Sequence, residues 1–159
     1  MPTVMITGAN RGIGFELARR YAADGWRVLA TCRDPAKADE LKALAGDVHI
    51  HALDVTDFAR VDALAGELGD EAIDVLINNA GVSDMPMERA DGVDYDLWAE
   101  VLRVNTMAPH KVSDAFAGHV AKSETRIIVA ISSRLGSIEM NSGGDYAYCS
   151  SKAALNLIM

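Results

Sequence analysis

Short apolar segments alternate with longer amphipathic segments along this 159-residue chain. The short segments are rich in β-branched residues, which is typical of buried strands. The longer segments place apolar residues at helical spacing. Such an alternation predicts a parallel sheet with right-handed crossovers and helices on both faces. The predicted strands are TVMIT (3–7), RVLATC (27–32), VHIHAL (48–53), AIDVLIN (72–78) and RIIVAI (126–131).

Helices are predicted in the segments that follow the strands. Residues 94–123 read as one long helix in which Pro109 is expected to cause a kink, and a last helix begins near Tyr146. Each of the first three helices runs up to a glycine, the residue that most readily ends a helix in the left-handed conformation. These glycines are Gly25, Gly46 and Gly69.

Two long loops, residues 82–93 and 132–145, each follow a predicted strand. They therefore lie at the carboxyl ends of the strands, where open α/β sheets bind their ligands. The chain length suits one domain, and the sequence contains no repeat, linker or low-complexity tract. We expect a single domain with its site at this edge of the sheet.

Composition excludes several classes of partner. The net charge of −8 argues against nucleic acid or an anionic membrane, because both are polyanions. The N-terminus has no signal-peptide pattern, and no apolar stretch is long enough to span a bilayer, so a cytoplasmic location is the expectation. No metal site is predicted, because neither the two cysteines nor the histidines have ligand spacing. These residues are Cys32, Cys149, His49, His51, His110 and His119.

The first predicted strand leads directly into TGANRGIG, residues 7–14. Glycines at such a turn permit positive φ and let the backbone approach a pyrophosphate, while the helix that follows offers free amides to the phosphates. A tight turn without a ligand is the alternative interpretation. The glycines, Gly8, Gly12 and Gly14, have the spacing Gly-x-x-x-Gly-x-Gly rather than that of the usual dinucleotide fingerprint.

Tyr148 and Lys152 lie four residues apart in AYCSSKAALN and would share one face of a helix. The pKa of a free tyrosine is about 10, and a nearby ammonium lowers it by stabilising the phenolate. The pair is therefore a candidate general acid/base, although two ordinary helix residues would give the same pattern. Tyr146 is assigned to packing or the pocket wall, because the residue four positions on, Ser150, supplies no charge.

These motifs together resemble the short-chain dehydrogenase/reductase family, and the resemblance covers essentially the whole chain. The segments ATCRDP and SGGDYAYCSSKAALN are most similar to its carbonyl-reductase and C-factor-like branch. The resemblance implies a Rossmann-type doubly wound sheet of strand order 3-2-1-4-5 with an exposed fifth strand. The matching motifs are TGANRGIG, LDVTD (53–57), INNAG (77–81), VLRVNTMAP (101–109), IVAISS (128–133) and YCSSK (148–152).

The resemblance implies an oxidoreductase that transfers hydride between a nicotinamide nucleotide and a carbonyl compound or secondary alcohol. Tyr148 would be the general acid/base, with Lys152, Ser133 and Asn105 assisting. Ser133 is the second serine of the family's I-S-S pattern, the one that is catalytic in the family. Ser132 is the alternative candidate for the catalytic serine. Either serine could instead cap a turn or helix.

Asn105 has two interpretations. The resemblance assigns it to a water relay that supports Lys152. Asparagine is a mediocre helix former, so its amide could instead satisfy a backbone distortion near Pro109. Both roles are compatible.

NADP(H) is favoured over NAD(H). In family members a carboxylate that binds the adenosine ribose usually stands where this chain has Cys32, and here Arg33 follows it. With Arg11 in the glycine loop, two guanidiniums suit a phosphate dianion. A register shift of one residue would bring Asp34 to the ribose and favour NAD(H), and solvated surface arginines are the structural alternative.

Other cofactor contacts come from the resemblance. Asp54 is assigned to the adenine amino group and Val55 to a backbone contact, although Asp54, Thr56 and Asp57 are all candidate caps of the next helix. Asn78 and Asn79 can tie neighbouring strand ends together. The predicted cofactor-binding set is Gly8, Asn10, Arg11, Gly12, Ile13, Gly14, Arg33, Asp54, Val55, Asn79, Ala80, Gly81, Tyr148 and Lys152.

The chain stops at Met159 inside a predicted helix, whereas family members continue with further strands and a substrate-covering segment. We expect residues 1–159 to be the N-terminal portion of a reductase, poorly stable and weakly active or inactive in isolation. The substrate pocket would draw on the residues after Gly81, on loop 134–145 and on that missing part. Its candidate apolar lining is Met85, Met87 and Met140.

Partners and alternative functions follow from the same resemblance. The helices 94–122 and 146–159 are the implied homo-oligomer interface, and a small carbonyl compound or alcohol is the implied substrate. One alternative is a nucleotide-binding signalling protein in which turnover is not the main role. Epimerase or dehydratase chemistry is another, which the Ser-Tyr-Lys set disfavours.

Overall fold

The computed structural model describes residues 1–82, 88–89, 92–140 and 145–159. A parallel sheet occupies its centre, and β5 (Glu88–Arg89) pairs with β6 (Gly92–Val93) in a separate antiparallel hairpin. The strands of the main sheet are β1 (Thr3–Ile6), β2 (Arg27–Cys32), β3 (Val48–Ala52), β4 (Val75–Asn78) and β7 (Ile127–Ala130). Their order is β3-β2-β1-β4-β7, which confirms the predicted 3-2-1-4-5 sheet.

Helices cover both faces of this sheet, and two cores result. Along β1, Val4 and Ile6 pack in one cluster while Met5 packs in the other. Strands that are buried on both faces read as continuous apolar runs, which is why the sequence shows no polar alternation in them. The helices are α1 (Gly12–Ala23), α2 (Asp39–Lys42), α3 (Phe58–Leu68), α4 (Tyr95–Leu102), α5 (Ala108–Ala121) and α6 (Tyr146–Ile158).

The helix predicted over residues 36–46 is much shorter than expected. Only α2 is α-helical there, preceded by a single 3₁₀ turn at Pro35–Lys37. Leu41 is the one fully buried side chain of α2, and most helical stability in proteins comes from packing a whole apolar face. Gly46 lies beyond the helix end, so its assignment as a helix stop is wrong. Its φ of +110° instead serves the turn into β3.

The other two predicted helix stops are confirmed. Gly25 follows the end of α1 with φ +78°, and Gly69 caps α3 with φ +57°.

The predicted long helix is interrupted by one π-helical turn, Arg103–Met107, which separates α4 from α5. The N–H of Ala108 donates to the carbonyl of Arg103, five residues back. Pro109 has no N–H to offer the carbonyl of Asn105 four residues back, so regular α-helical bonding fails here. The irregularity thus precedes Pro109, which itself lies in the first turn of α5.

Asp74 joins the beginnings of three strands. Its carboxylate accepts the N–H of Thr3 at 2.7 Å and the hydroxyls of Ser123 at 2.5 Å and Thr125 at 3.2 Å. Burial raises the pKa of Asp74, but these hydrogen bonds outweigh it and hold the pKa below the ordinary value of 3.8. The ionised carboxylate therefore stabilises the fold.

A pH dependence of stability follows. A carboxylate with a lowered pKa in the folded state stabilises it fully above the unfolded pKa, and this stabilisation is lost as pH falls through the folded pKa. We expect the free energy of unfolding, measured in urea from neutral pH into the acid range, to fall less steeply below about pH 4 in Asp74→Asn than in the wild type. The exposed Asp114→Asn is the matched control. Equal acid slopes in the two variants would contradict this role.

Candidate active site

The glycine loop lies against the end of β4. Gly8 has φ +65°, and a Cβ there would stand 2.9 Å from the Cα of Ala80. A Cβ on Gly14 would stand 2.5 Å from the carbonyl oxygen of Gly8 and would overlap the side-chain amide of Asn79. Glycine is therefore required at both positions by close approach, and at Gly8 by conformation as well.

Thr7 and Asn79 join the carboxyl ends of β1 and β4. The hydroxyl of Thr7 accepts the N–H groups of Asn79 at 3.0 Å and Ala80 at 3.1 Å. The side-chain amide of Asn79 donates to the carbonyls of Thr7 at 2.9 Å and Gly8 at 3.1 Å. Asn79 thus ties the strand ends together as predicted, and it fixes the shape of the glycine loop. Asn78 turns the other way, to the hydroxyl of Ser113 at 2.9 Å.

The first turn of α1 has no side-chain cap. Arg11 is the extended N-cap residue, and no side chain accepts a hydrogen bond at this cap. The N–H groups of the first helical turn have no intrahelical partner and carry the positive end of the helix dipole. The exposed loop residues Asn10, Arg11, Gly12 and Ile13 surround this turn.

The loops after β2 and β3 form the neighbouring corner. Arg33 is exposed, whereas Asp34 is occupied: it accepts the N–H of Ala36 at 3.1 Å and pairs with Lys37 at 3.1 Å. The strand ends at Cys32, and Asp34 caps the 3₁₀ turn that follows. The structure therefore gives no support to the register shift that would favour NAD(H).

Asp54 holds its own loop rather than a helix. Its carboxylate accepts the N–H and the hydroxyl of Thr56, at 2.9 and 2.7 Å, and the hydroxyl bond is the main reason that the pKa of Asp54 is lowered. Asp57 is the residue that caps α3, through the N–H of Arg60. The capping alternative is therefore wrong for Asp54 and Thr56. Val55 buries its side chain in the core.

Lys152 and Tyr148 lie on the same face of α6. Lys152 is only 6% exposed, and its Nζ stands 5.8 Å from the centroid of the Tyr148 ring. The same Nζ donates to the carbonyl of Ile131 at 2.7 Å, at the end of β7. Burial lowers the pKa of Lys152.

The two serines after β7 have different partners. Ser133 caps the 3₁₀ turn Arg134–Gly136 by accepting the N–H of Leu135 at 3.1 Å, so its hydroxyl proton is still available to a ligand. Ser132 donates to the side chain of Asn156 at 2.5 Å. The capping role foreseen for this pair therefore falls on Ser133.

Asn105 is fully buried in the π turn and links two parts of the site. Its Oδ1 accepts the N–H of Val82 at 2.9 Å, and its Nδ2 donates to the carbonyl of Val82 at 2.8 Å and to the hydroxyl of Ser151 at 3.0 Å. Beside it, a Cβ on Gly81 would lie 3.3 Å from Oδ1 and 3.9 Å from Nζ of Lys152. Both amide hydrogens of Asn105 are thus engaged. Its main-chain carbonyl has no α-helical partner, because the residue four positions on, Pro109, has no N–H.

Four residues of the site were not among the predicted ones. Thr7 joins two strand ends; Arg103 donates to the carbonyl of Thr56 at 2.8 Å; Thr106 and Ser151 connect the π turn with α6. Thr7 was visible in the sequence as a hydroxyl residue that ends an apolar strand. The other three act through contacts between distant parts of the chain, which local patterns do not show.

The remaining predictions fall as follows. His49 pairs with Asp47 at 2.6 Å, the ring of His119 lies between two backbone carbonyls, and the described residues contain no group of side chains suited to hold a metal. Met85 and Met87 lie outside the described residues, and Met140 is 62% exposed. No helix in the described part of the chain has the length and apolarity to cross a membrane.

A cavity of about 240 Å³ opens beside α6. Tyr146 lines it and stacks with Trp98 at 6.4 Å, in agreement with its assignment to a pocket wall. Cys149 also lines it, and its thiol is buried. The neighbouring lining residues Leu135 and Ile138 are apolar and cannot act as a base toward this thiol.

The family model described as short chain dehydrogenase matches residues 2–159. The chain belongs to the short-chain dehydrogenase/reductase family. Within this family it is 32% identical over 161 residues to (+)-neomenthol dehydrogenase from Arabidopsis thaliana, covering 85% of this chain and 54% of that protein. The chain spans about half the length of several curated relatives that it matches.

Solved structures of short-chain dehydrogenases/reductases share the fold. The NADPH bound carbonyl reductase from chicken fatty liver superposes with a TM-score of 0.88 at 34% identity, covering 99% of this chain and 68% of that chain. A carbonyl reductase from Pseudomonas aeruginosa PAO1 in complex with NADP gives 0.85 at 29% identity, covering 99% of this chain and 73% of that one. The resemblance to carbonyl reductases is thereby confirmed.

Proposed function

We propose that the protein is an NADP(H)-dependent oxidoreductase that reduces a carbonyl compound or oxidises a secondary alcohol. The observation that carries this proposal is that the buried ammonium of Lys152 lies 5.8 Å from the centroid of the Tyr148 ring. The ammonium also bonds to the carbonyl of Ile131 at the carboxyl end of β7, the edge of the sheet at which the glycine loop lies. Burying an ammonium costs free energy, and buried titratable groups with shifted pKa values are concentrated at functional sites. Support of proton transfer by the adjacent phenol would account for this burial.

The residues of the glycine loop fit a dinucleotide. Glycine at positions 8 and 14 lets the loop pack closely against the end of β4, and no side chain caps the first turn of α1, whose amides could bind the pyrophosphate. When bound, the nicotinamide nucleotide supplies or accepts the hydride. Two structural relatives that hold NADP or NADPH support this choice of cofactor.

Tyr148 would donate its phenolic proton to the carbonyl oxygen of the substrate and recover it in the reverse direction. Lys152 would stabilise the phenolate that remains, and the Ser133 hydroxyl would donate a hydrogen bond to the same carbonyl oxygen. Asn105 would support Lys152 through a water held by its main-chain carbonyl. General acid/base catalysis of this kind contributes about 10²–10⁴-fold to rates.

The direct test uses the full-length protein, including any residues that follow Met159, with a panel of aldehydes, ketones and secondary alcohols. We expect carbonyl-dependent loss of NADPH absorbance. Binding of NADPH without turnover of any compound would contradict the proposal and favour a nucleotide-binding role. An oligomer formed through helices 94–122 and 146–159 stays a prediction, which sedimentation of the same preparation checks.

Cofactor selectivity gives a second prediction. Arg33→Ala is expected to weaken NADP(H) binding by about 10- to 100-fold, because a hydrogen bond to a charged group contributes about 1.5–3 kcal/mol. The Kd for NAD(H), which has no 2′-phosphate, should change little. Binding of both nucleotides is measured by titration, with Arg20→Ala on the exposed face of α1 as the control. An equal loss of affinity for both nucleotides would contradict the assignment of Arg33 to the 2′-phosphate.

A further inference from the structure

Two adjacent residues of the π turn hold one residue of α6. The hydroxyl of Thr106 donates to the carbonyl of Ser151 at 2.9 Å, and the amide of Asn105 donates to the hydroxyl of Ser151 at 3.0 Å. The Ser151 hydroxyl in turn donates to the carbonyl of Tyr148 at 2.8 Å. Thr106 is 9% exposed, and Ser151 and Asn105 are completely buried. These bonds therefore form in a site from which water is largely excluded.

Ser151 is the point of α6 at which such a contact matters most for the proposed chemistry. It lies three residues after Tyr148 and directly before Lys152, so its backbone supports both side chains. A side chain that fixes the carbonyl of Ser151 fixes the rotation and the axial position of this turn of α6. The carbonyl of Ile131 holds Lys152 only by its far end, the Nζ.

Resting on the proposed function, we propose that Thr106 is a positioning residue, whose hydroxyl sets the placement of Tyr148 and Lys152 through the carbonyl of Ser151. Thr106 is the informative member of the pair, because Asn105 also binds both backbone groups of Val82. A change at Asn105 would therefore disturb both the segment after β4 and α6. The only side-chain hydrogen bond of Thr106 among the described residues goes to α6.

Small displacements of reacting groups have large effects on rate, about 10²-fold for 1 Å. We expect Thr106→Val, which keeps the shape and removes the hydroxyl, to lower kcat by about 10-fold or more. The Kd for NADPH should change less than kcat, since Thr106 bonds to α6 and not to the glycine loop. The pH dependence of kcat should move to higher pH, because Lys152 is less well placed to stabilise the phenolate. Thr106→Ser keeps the hydroxyl and should retain the wild-type values.

Hydrogen exchange of the α6 backbone amides gives a readout that needs no turnover. Exchange across residues 148–155 should be faster in Thr106→Val than in Thr106→Ser. Ser150→Ala is the matched control, because Ser150 is the neighbour of Ser151 but bonds to Trp98 and Ala147 instead.

The outcomes separate the two proposals. Faster exchange in Thr106→Val alone supports the positioning role even if no carbonyl compound is reduced, in which case only the proposed function has failed. Equal exchange in all variants overturns the positioning role, whatever the activity. So does a fall in kcat that is the same in Thr106→Val and Thr106→Ser, or that leaves the pH profile in place.

Discussion

Tyr148→Phe is expected to lower kcat for NADPH-dependent carbonyl reduction by about 10²- to 10⁴-fold, the usual contribution of a general acid. Phenylalanine keeps the ring that packs near the Nζ of Lys152, so the helix and the buried ammonium should be retained. What is lost is the proton that the developing alkoxide requires. The Kd for NADPH should change far less than kcat, since the glycine loop is untouched.

Tyr146→Phe is the matched control for that variant. It removes a hydroxyl from the same helix, two residues away, where the ring is 49% exposed and stacks on Trp98. Steady-state kinetics of both variants at several pH values decide the assignment. A Tyr148→Phe enzyme as active as Tyr146→Phe would refute the role of Tyr148.

Gly14→Ala is expected to abolish measurable NADPH binding and to destabilise the fold. The new Cβ would stand 2.5 Å from the carbonyl oxygen of Gly8 and would overlap the Asn79 amide, so the loop must move away from β4. Overpacking of this kind costs about 1–3 kcal/mol. Movement of the loop also displaces the amides that would face the pyrophosphate. Nucleotide titration and urea unfolding measure the two effects separately.

Gly66→Ala and Gly118→Ala are the controls for a glycine-to-alanine change inside a helix. A Cβ at either position meets nothing within 4 Å, on α3 and α5 respectively. Both substitutions should stabilise the protein by about 0.5–1 kcal/mol, since alanine is the better helix former. If the Gly14→Ala variant bound NADPH as tightly as these two controls and were as stable, the close approach of the glycine loop to β4 would not be needed for nucleotide binding.

The strands and the order of the sheet were predictable because they depend on short-range signals and on family motifs. RVLATC became β2 over the predicted residues, and the other four strands are one to three residues shorter than expected. The prediction of a helix over 36–46 was wrong in length, because apolar spacing alone does not show whether the apolar face of a helix will pack against another element. In this stretch only Ala38 and Leu41 are buried.

The candidate site was predicted as separate motifs, and the contacts that join them were not. Nothing local in the sequence of Thr106 indicates a bond to a carbonyl 45 residues away. The π turn was missed for a similar reason, because Arg103–Met107 has an ordinary helical pattern. Pro109 gave a hint of irregularity, but its effect falls on the carbonyl four residues before it.

The π turn also allows one long helical segment to serve two cores that lie in different directions. Val101 on α4 packs with Ala147 of α6, whereas Val112 and Phe116 on α5 pack beneath the sheet. The additional residue in the π turn rotates α5 relative to α4 about the helix axis, by the roughly 100° that each residue of an α-helix contributes. A change of length in this stretch should therefore be harmful, since losing one residue would rotate one half out of its core.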